Sequence, residues 1–160
     1  MLTALSIRDV VLIDRLDLDF EAGLNVFTGE TGAGKSILLD ALSLALGVRG
    51  DASLIRTGAE RATVTAAFSL PPDHPVLADL RDQALEAEDT LILRRILDSS
   101  GRSRAFVNDG PVSISALRRI GEGLVEIHGQ FETHGLINQA THRHVLDLYG
   151  GLSDRAETVN

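Results

Sequence analysis

The chain has 160 residues, 44% of them hydrophobic and 24% charged, which is the composition of an ordinary folded domain. That length suits one domain with a sizeable core and excludes fibrous or disordered classes. The formal charge of −8 argues against a general grip on polyanions by this segment, and the lack of cysteine excludes disulfides and thiolate metal sites. The early apolar stretch is interrupted by Arg8, Asp9, Asp14 and Arg15, and a later one by Asp40, so the expectation is a protein of the cytoplasm with no membrane span. Fourteen arginines stand against a single lysine, Lys35.

Leu2 to Ile7 and Leu12 to Phe20 predict a half-exposed antiparallel pair, because Leu16, Leu18 and Phe20 alternate with Arg15, Asp17 and Asp19. After a turn at Glu21 to Gly23, the residues Leu24, Val26 and Phe27 predict a short strand running into Gly29. Residues 35–46 are apolar almost all round and stop at Gly47, which predicts a helix inside a layered α/β core.

Arg61 to Leu70 predicts a further strand, ended by Pro71 and Pro72, and Val76 to Ala87 an exposed amphipathic helix. Thr90 to Leu97 and Ser103 to Asn108 read as a hairpin around Ser99, Ser100 and Gly101. A second turn at Asn108 to Pro111 leads to a short helix over Ser113 to Ile120 and a last buried strand over Leu124 to Ile127. His128, Gly129, Gln130 and Phe131 then read as a loop, and Thr141 to Tyr149 as a helix before Gly150 and Gly151.

Gly29, Glu30, Thr31, Gly32, Ala33, Gly34, Lys35 and Ser36 match GxxxxGK followed by Ser or Thr at every fixed position. Polyphosphate needs close backbone donors, which glycines permit, and the following helix directs its N-terminal amides and positive dipole end at the same charge. Lys35 then bridges the outer phosphates of ATP, and the Ser36 hydroxyl is a ligand for Mg²⁺.

Gln130 follows an apolar run and a glycine, where an amide can point into a ligand cleft at a strand end. The acidic residue that a complete P-loop enzyme needs after an apolar strand is missing: Leu91 to Asp98 is interrupted by Arg94 and Arg95, and Leu124 to Glu126 is too short. His142 and His144, two apart on a predicted helix, point to different faces and make no metal site. The pairs Arg94–Arg95, Arg102–Arg104 and Arg118–Arg119 read as solvated faces on a chain this acidic.

The stretches TGETGAGKSILLDALSLALG, SLIRTG, GRSRAFVNDGPV and EIHGQFE, in this order, resemble the N-terminal part of the RecN family, bacterial DNA double-strand-break repair ATPases related to the SMC proteins. The resemblance runs from about Met1 to Tyr149. It implies the N-terminal lobe of an ABC-type ATPase head over residues 1–150, with an antiparallel β subdomain, and the start of a coiled coil over 151–160.

It further implies that Gln130 is the Q-loop residue reaching Mg²⁺ and the attacking water. The signature motif and the acidic pair would lie in a C-terminal head half beyond a long coiled coil, which accounts for the missing acid. Two heads would sandwich two ATP molecules as a homodimer, with DNA handled by the full-length protein in the nucleoid. Arg49 or Arg56 falls where such heads carry an arginine that approaches the phosphates. Phe131 departs from the His expected beside the Q-loop glutamine. A transporter-type nucleotide-binding subunit fits less well, since Phe20 and Phe27 stand too close to Gly29 for the usual adenine-stacking aromatic. A small-molecule kinase would need an acceptor pocket and an arginine-rich lid, and a nucleotide-gated module without turnover is the remaining alternative.

Overall fold

A computed structural model of the chain describes residues 1–28, 34–82, 85 and 90–127. The backbone divides into two units, Met1–Leu124 and Val125–Asn160, the second described at residues 125–127.

The strands are β1 (Leu2–Val10), β2 (Ile13–Asp19), β3 (Arg61–Ser69), β4 (Thr90–Asp98), β5 (Ser103–Val107) and β6 (Gly110–Val112). They form one sheet in the order β2-β1-β3-β4-β5-β6, antiparallel throughout. Among the described residues three α-helices accompany it: α1 (Gly34–Ala45), α2 (Pro75–Asp82) and α3 (Ile114–Glu122).

Period-two alternation builds the sheet. In β3, Ala62, Val64, Ala66 and Phe68 are buried while Arg61 and Ser69 are exposed and the intervening threonines are half-buried. The register places Ile7 against Val64, so the apolar positions of neighbouring strands share one face. α1 packs on β1, β3 and β4 and α3 on β5, covering that face. The predicted hairpins stand where the alternation put them.

The two tight turns differ in strain. Asn108 (φ 44°) and Asp109 (φ 65°) both adopt the left-handed region, as a two-residue hairpin turn with the twist of its strands requires, and both residue types tolerate it. Val11 has φ 50°, which its branched Cβ opposes; its N–H donates to the Leu54 carbonyl at 2.9 Å and holds the turn in place.

Four expectations need correction. Residues 24–28 carry no strand pairing, and Leu24, Val26 and Phe27 are 93%, 71% and 50% exposed, because no strand among the described residues offers them a partner. Leu124 to Ile127 likewise forms no strand. α1 is not buried all round: Lys35, Ser36, Leu39 and Asp40 are exposed while Ile37, Ala41, Leu44 and Ala45 are buried. α2 is shorter than predicted and anchored by buried Val76, Leu77 and Leu80 rather than lying free. β6 was not expected, since three residues including Pro111 give no periodic signal. The predicted helix from Thr141 to Tyr149 lies outside the described residues.

The outer face of the β1–β2 hairpin is held by charge. Arg8 grips both carboxylate oxygens of Asp17 at 2.7 and 2.9 Å, and the Ser6 hydroxyl donates to Oδ1 at 2.8 Å. Arg8 first, then Ser6, lowers the Asp17 pKa to about 2. A depressed carboxylate contributes stability that is present above its ordinary pKa of 3.8 and lost as pH falls from there through about 2. An NMR titration of the Asp17 carboxyl should give that midpoint, and Arg8→Met should return it towards 3.8. An unchanged midpoint in the variant would rule out Arg8 as the cause.

Candidate phosphate-binding site

The eight-residue loop is described from Gly34 onward; Gly29, Glu30, Thr31, Gly32 and Ala33 lie outside the described residues, as does Gln130. Gly34, Lys35 and Ser36 form the first turn of α1, exposed to solvent, with no acidic side chain in that turn. The first amides of a helix have no intrahelical acceptor and sit at its positive dipole end. This turn therefore joins backbone amides without intrahelical acceptors, an ammonium and a hydroxyl, with no acidic residue in the turn itself, a donor set that fits a polyphosphate with its divalent cation.

The opposite end of α1 is closed by a full cap. The Gly47 N–H donates to the Leu44 carbonyl at 3.2 Å and the Val48 N–H to the Ser43 carbonyl at 3.0 Å, with Gly47 at φ 90°. This is the paired pattern of a Schellman motif, which needs glycine at the left-handed position.

The two candidate arginines occupy different places. Arg49 is exposed just past the cap. Nearby Asp51 is held below the usual carboxylate range by hydrogen bonding to Ser53, with a smaller pull from Arg49. Arg56 turns towards the strained hairpin: its N–H donates to the Asp9 carbonyl at 2.9 Å, and its Nη1 lies 3.8 Å from Asp9 Oδ1 and 3.7 Å from Asp14 Oδ1. Among the described residues, no group of three or more His, Asp or Glu is placed to hold a metal.

The reading of Arg94 and Arg95 as a solvated face needs correction, because Arg95 is buried. Arg95, 2% exposed, stands on the apolar face of β4 between Val64 and Ala105. Its Nε donates to the Ser103 hydroxyl at 2.6 Å, and its Nη1 has no hydrogen-bond partner among the described residues. Burial pushes its pKa down. The signal was present: of two adjacent arginines in a period-two strand, one must face inward with Leu91, Leu93 and Leu97. Its neighbour Arg94 lies on the other face over the Phe106 ring, 4.7 Å from the centroid, and donates to Asp109 at 2.8 Å.

An antiparallel sheet packed on a helix that opens with a phosphate-loop sequence is the fold of the N-terminal lobe of an ABC-type head. The family model described as an AAA domain matches residues 4–116, and the chain belongs to that family. In sequence it resembles the DNA repair protein RecN. RecN of Halalkalibacterium halodurans is 43% identical over 152 residues, covering 94% of this chain and 27% of that protein. RecN of Bacillus subtilis is 42% identical over 152 residues, with 94% and 26% covered, and that of Vibrio cholerae 42% over 156, with 96% and 28%. The chain thus spans about 27% of the length of these relatives, as a resemblance to their N-terminal part requires.

Solved structures agree on the fold. An SMC ATPase structure, from work on ATP-driven dimerization and DNA-stimulated activation, superposes with a TM-score of 0.66 at 21% identity over 91% of this chain and 97% of that one. The SMC head domain from Thermotoga maritima gives 0.57 at 20% identity over 74% of this chain and 41% of its own.

Proposed function

We propose that the chain is the ATP-binding N-terminal half of an SMC-like ATPase head acting in DNA double-strand-break repair and recombination. The observation that carries this is the exposed, acid-free first turn of α1, where Lys35 and Ser36 follow the phosphate-loop sequence. In this reading the backbone from Gly29 to Ser36 holds the phosphates, Lys35 neutralises their charge, and Ser36 and Gln130 hold Mg²⁺, the ion that would supply charge neutralisation on the transferred phosphoryl group. Of the two candidate arginines, Arg49 lies past the far end of α1 from this turn, and Arg56 would have to leave Asp9 and Asp14 to approach the phosphates.

The reading extends to organisation. Residues 1–150 make the N-terminal lobe and 151–160 begin a coiled coil leading to the C-terminal head half. The exposed Leu24, Val26, Phe27 and Leu39 suit that half as their cover. ATP binding closes a homodimer of complete heads and hydrolysis reopens it, with DNA engaged by the full-length protein in the cytoplasm, at the nucleoid. Among the described residues no helix is long and apolar enough to cross a membrane.

The test is to supply the C-terminal half by fusion or co-expression. Mg²⁺-dependent ATP hydrolysis is expected from the pair and none from the 160-residue chain alone. A pair that binds ATP and never hydrolyses it would favour a nucleotide-gated module instead, and a pair that binds no ATP would sink the reading.

A further inference from the structure

The cap of α1 meets α3 at backbone distance, with no side chain between them. A Cβ added at Gly47 would fall 2.5 Å from the Arg118 nitrogen and 2.6 Å from its Cα. On the facing helix, a Cβ at Gly121 would fall 2.5 Å from the Leu46 carbonyl oxygen and 2.9 Å from the Leu46 Cβ. Each glycine is thus needed by the backbone of the other element. Both obstacles are main-chain atoms, which cannot rotate away as the end of a side chain would.

α3 is a firm support. Leu117 and Ile120 are wholly buried, Ser113 caps its first turn by accepting from the Ala116 N–H at 3.1 Å, and the helix packs on β5. α1 is anchored mainly towards its C-terminal end, where Ala41, Leu44, Ala45 and, just past the helix, Leu46 are buried; nearer its start Ile37 is buried while Lys35, Ser36, Leu39 and Asp40 are exposed. A 12-residue helix is about 18 Å long and stiff, so a shift imposed at its cap is carried to its first turn.

We propose that the backbone contact through Gly47 and Gly121 is the pivot that positions the phosphate-loop helix, making Gly121 a positioning residue for nucleotide binding from the far end of α1. The proposal rests on the nucleotide reading of Lys35 and Ser36. It differs from a plain packing role in what it ties together: the fit between two glycines and the placement of two polar side chains three turns away.

Gly121→Ala is the probe, because helix propensity alone predicts a gain from that change while the 2.5 Å approach to Leu46 predicts displacement. In the protein carrying both head halves, Gly121→Ala is expected to weaken MgATP binding at least about tenfold, the loss of one charge-assisted hydrogen bond to phosphate. Leu80→Ala, a cavity in α2 at a side chain that meets neither glycine, serves as the stability control and should leave the Kd within about twofold at equal or greater loss of Tm. Hydrogen exchange on the unsubstituted protein needs no variant: MgATP should slow the amides of 44–48 and 118–121 together, at least about threefold, relative to those of α2. Equal affinity in Gly121→Ala, equal weakening by Leu80→Ala, or nucleotide-independent exchange at 118–121 each overturns the proposal. Absence of ATP binding in the unsubstituted protein would instead overturn the nucleotide reading itself.

Discussion

Lys35→Ala is expected to weaken MgATP binding by about 10- to 100-fold, the loss of a charge-assisted bond worth about 1.5–3 kcal/mol, with little change in Tm. The first turn of α1 is exposed and Lys35 makes no ion pair among the described residues, so the fold loses no contact when its ammonium is removed. Among the described residues its ammonium donors meet no acceptor, which leaves them to a ligand in this reading. Titration calorimetry on the protein with both head halves measures the effect, and Lys35→Arg should recover little of it, because a planar fork does not replace a compact ammonium in a tight loop. An affinity within about twofold of the parent in Lys35→Ala would contradict the assignment of this turn to phosphate. An equal fall in Tm would make the lysine structural instead.

Much of this could be read from the chain itself, and the misses share one cause. β1, β3 and β4 alternate in sequence because one face of each is buried, so period two marked them and their hairpins correctly. Leu24 to Phe27 and Leu124 to Ile127 are as apolar as those strands, yet none of the described strands pairs with them. Apolarity is a property of a segment; pairing is a property of two. The pattern from Gly29 to Ser36 stands out in sequence because a phosphate loop's spacing is set along a single stretch of chain; the structure describes its last three residues, at the start of α1. The contacts of Gly47 with Arg118 and of Gly121 with Leu46 join residues far apart in sequence, and each glycine alone looks like an ordinary helix end.

Arg95 supplies the largest stability prediction. A guanidinium keeps its charge at any ordinary pH, and taking it out of water costs several kcal/mol unless a counter-charge and hydrogen bonds replace the solvent. Here the described residues offer one hydroxyl, that of Ser103, and leave Nη1 without an acceptor. Arg95→Met keeps the length and apolar stem and removes the charge, so it should raise stability by about 1–3 kcal/mol, seen as an increase of several degrees in Tm. Ser103 is not orphaned by the change, since its hydroxyl also donates to the Ile96 carbonyl at 3.4 Å. Ser103→Ala alone should destabilise by about 1–3 kcal/mol, because it strips Nε of its acceptor. In the double variant that penalty should vanish, as no guanidinium remains to be left unsatisfied, so the two changes should be non-additive by about the same amount. Additive effects would mean that the serine does not serve Arg95. A fall in Tm for Arg95→Met would mean that the charge is met by an acceptor beyond the described residues, and that β4 is built around the arginine rather than despite it.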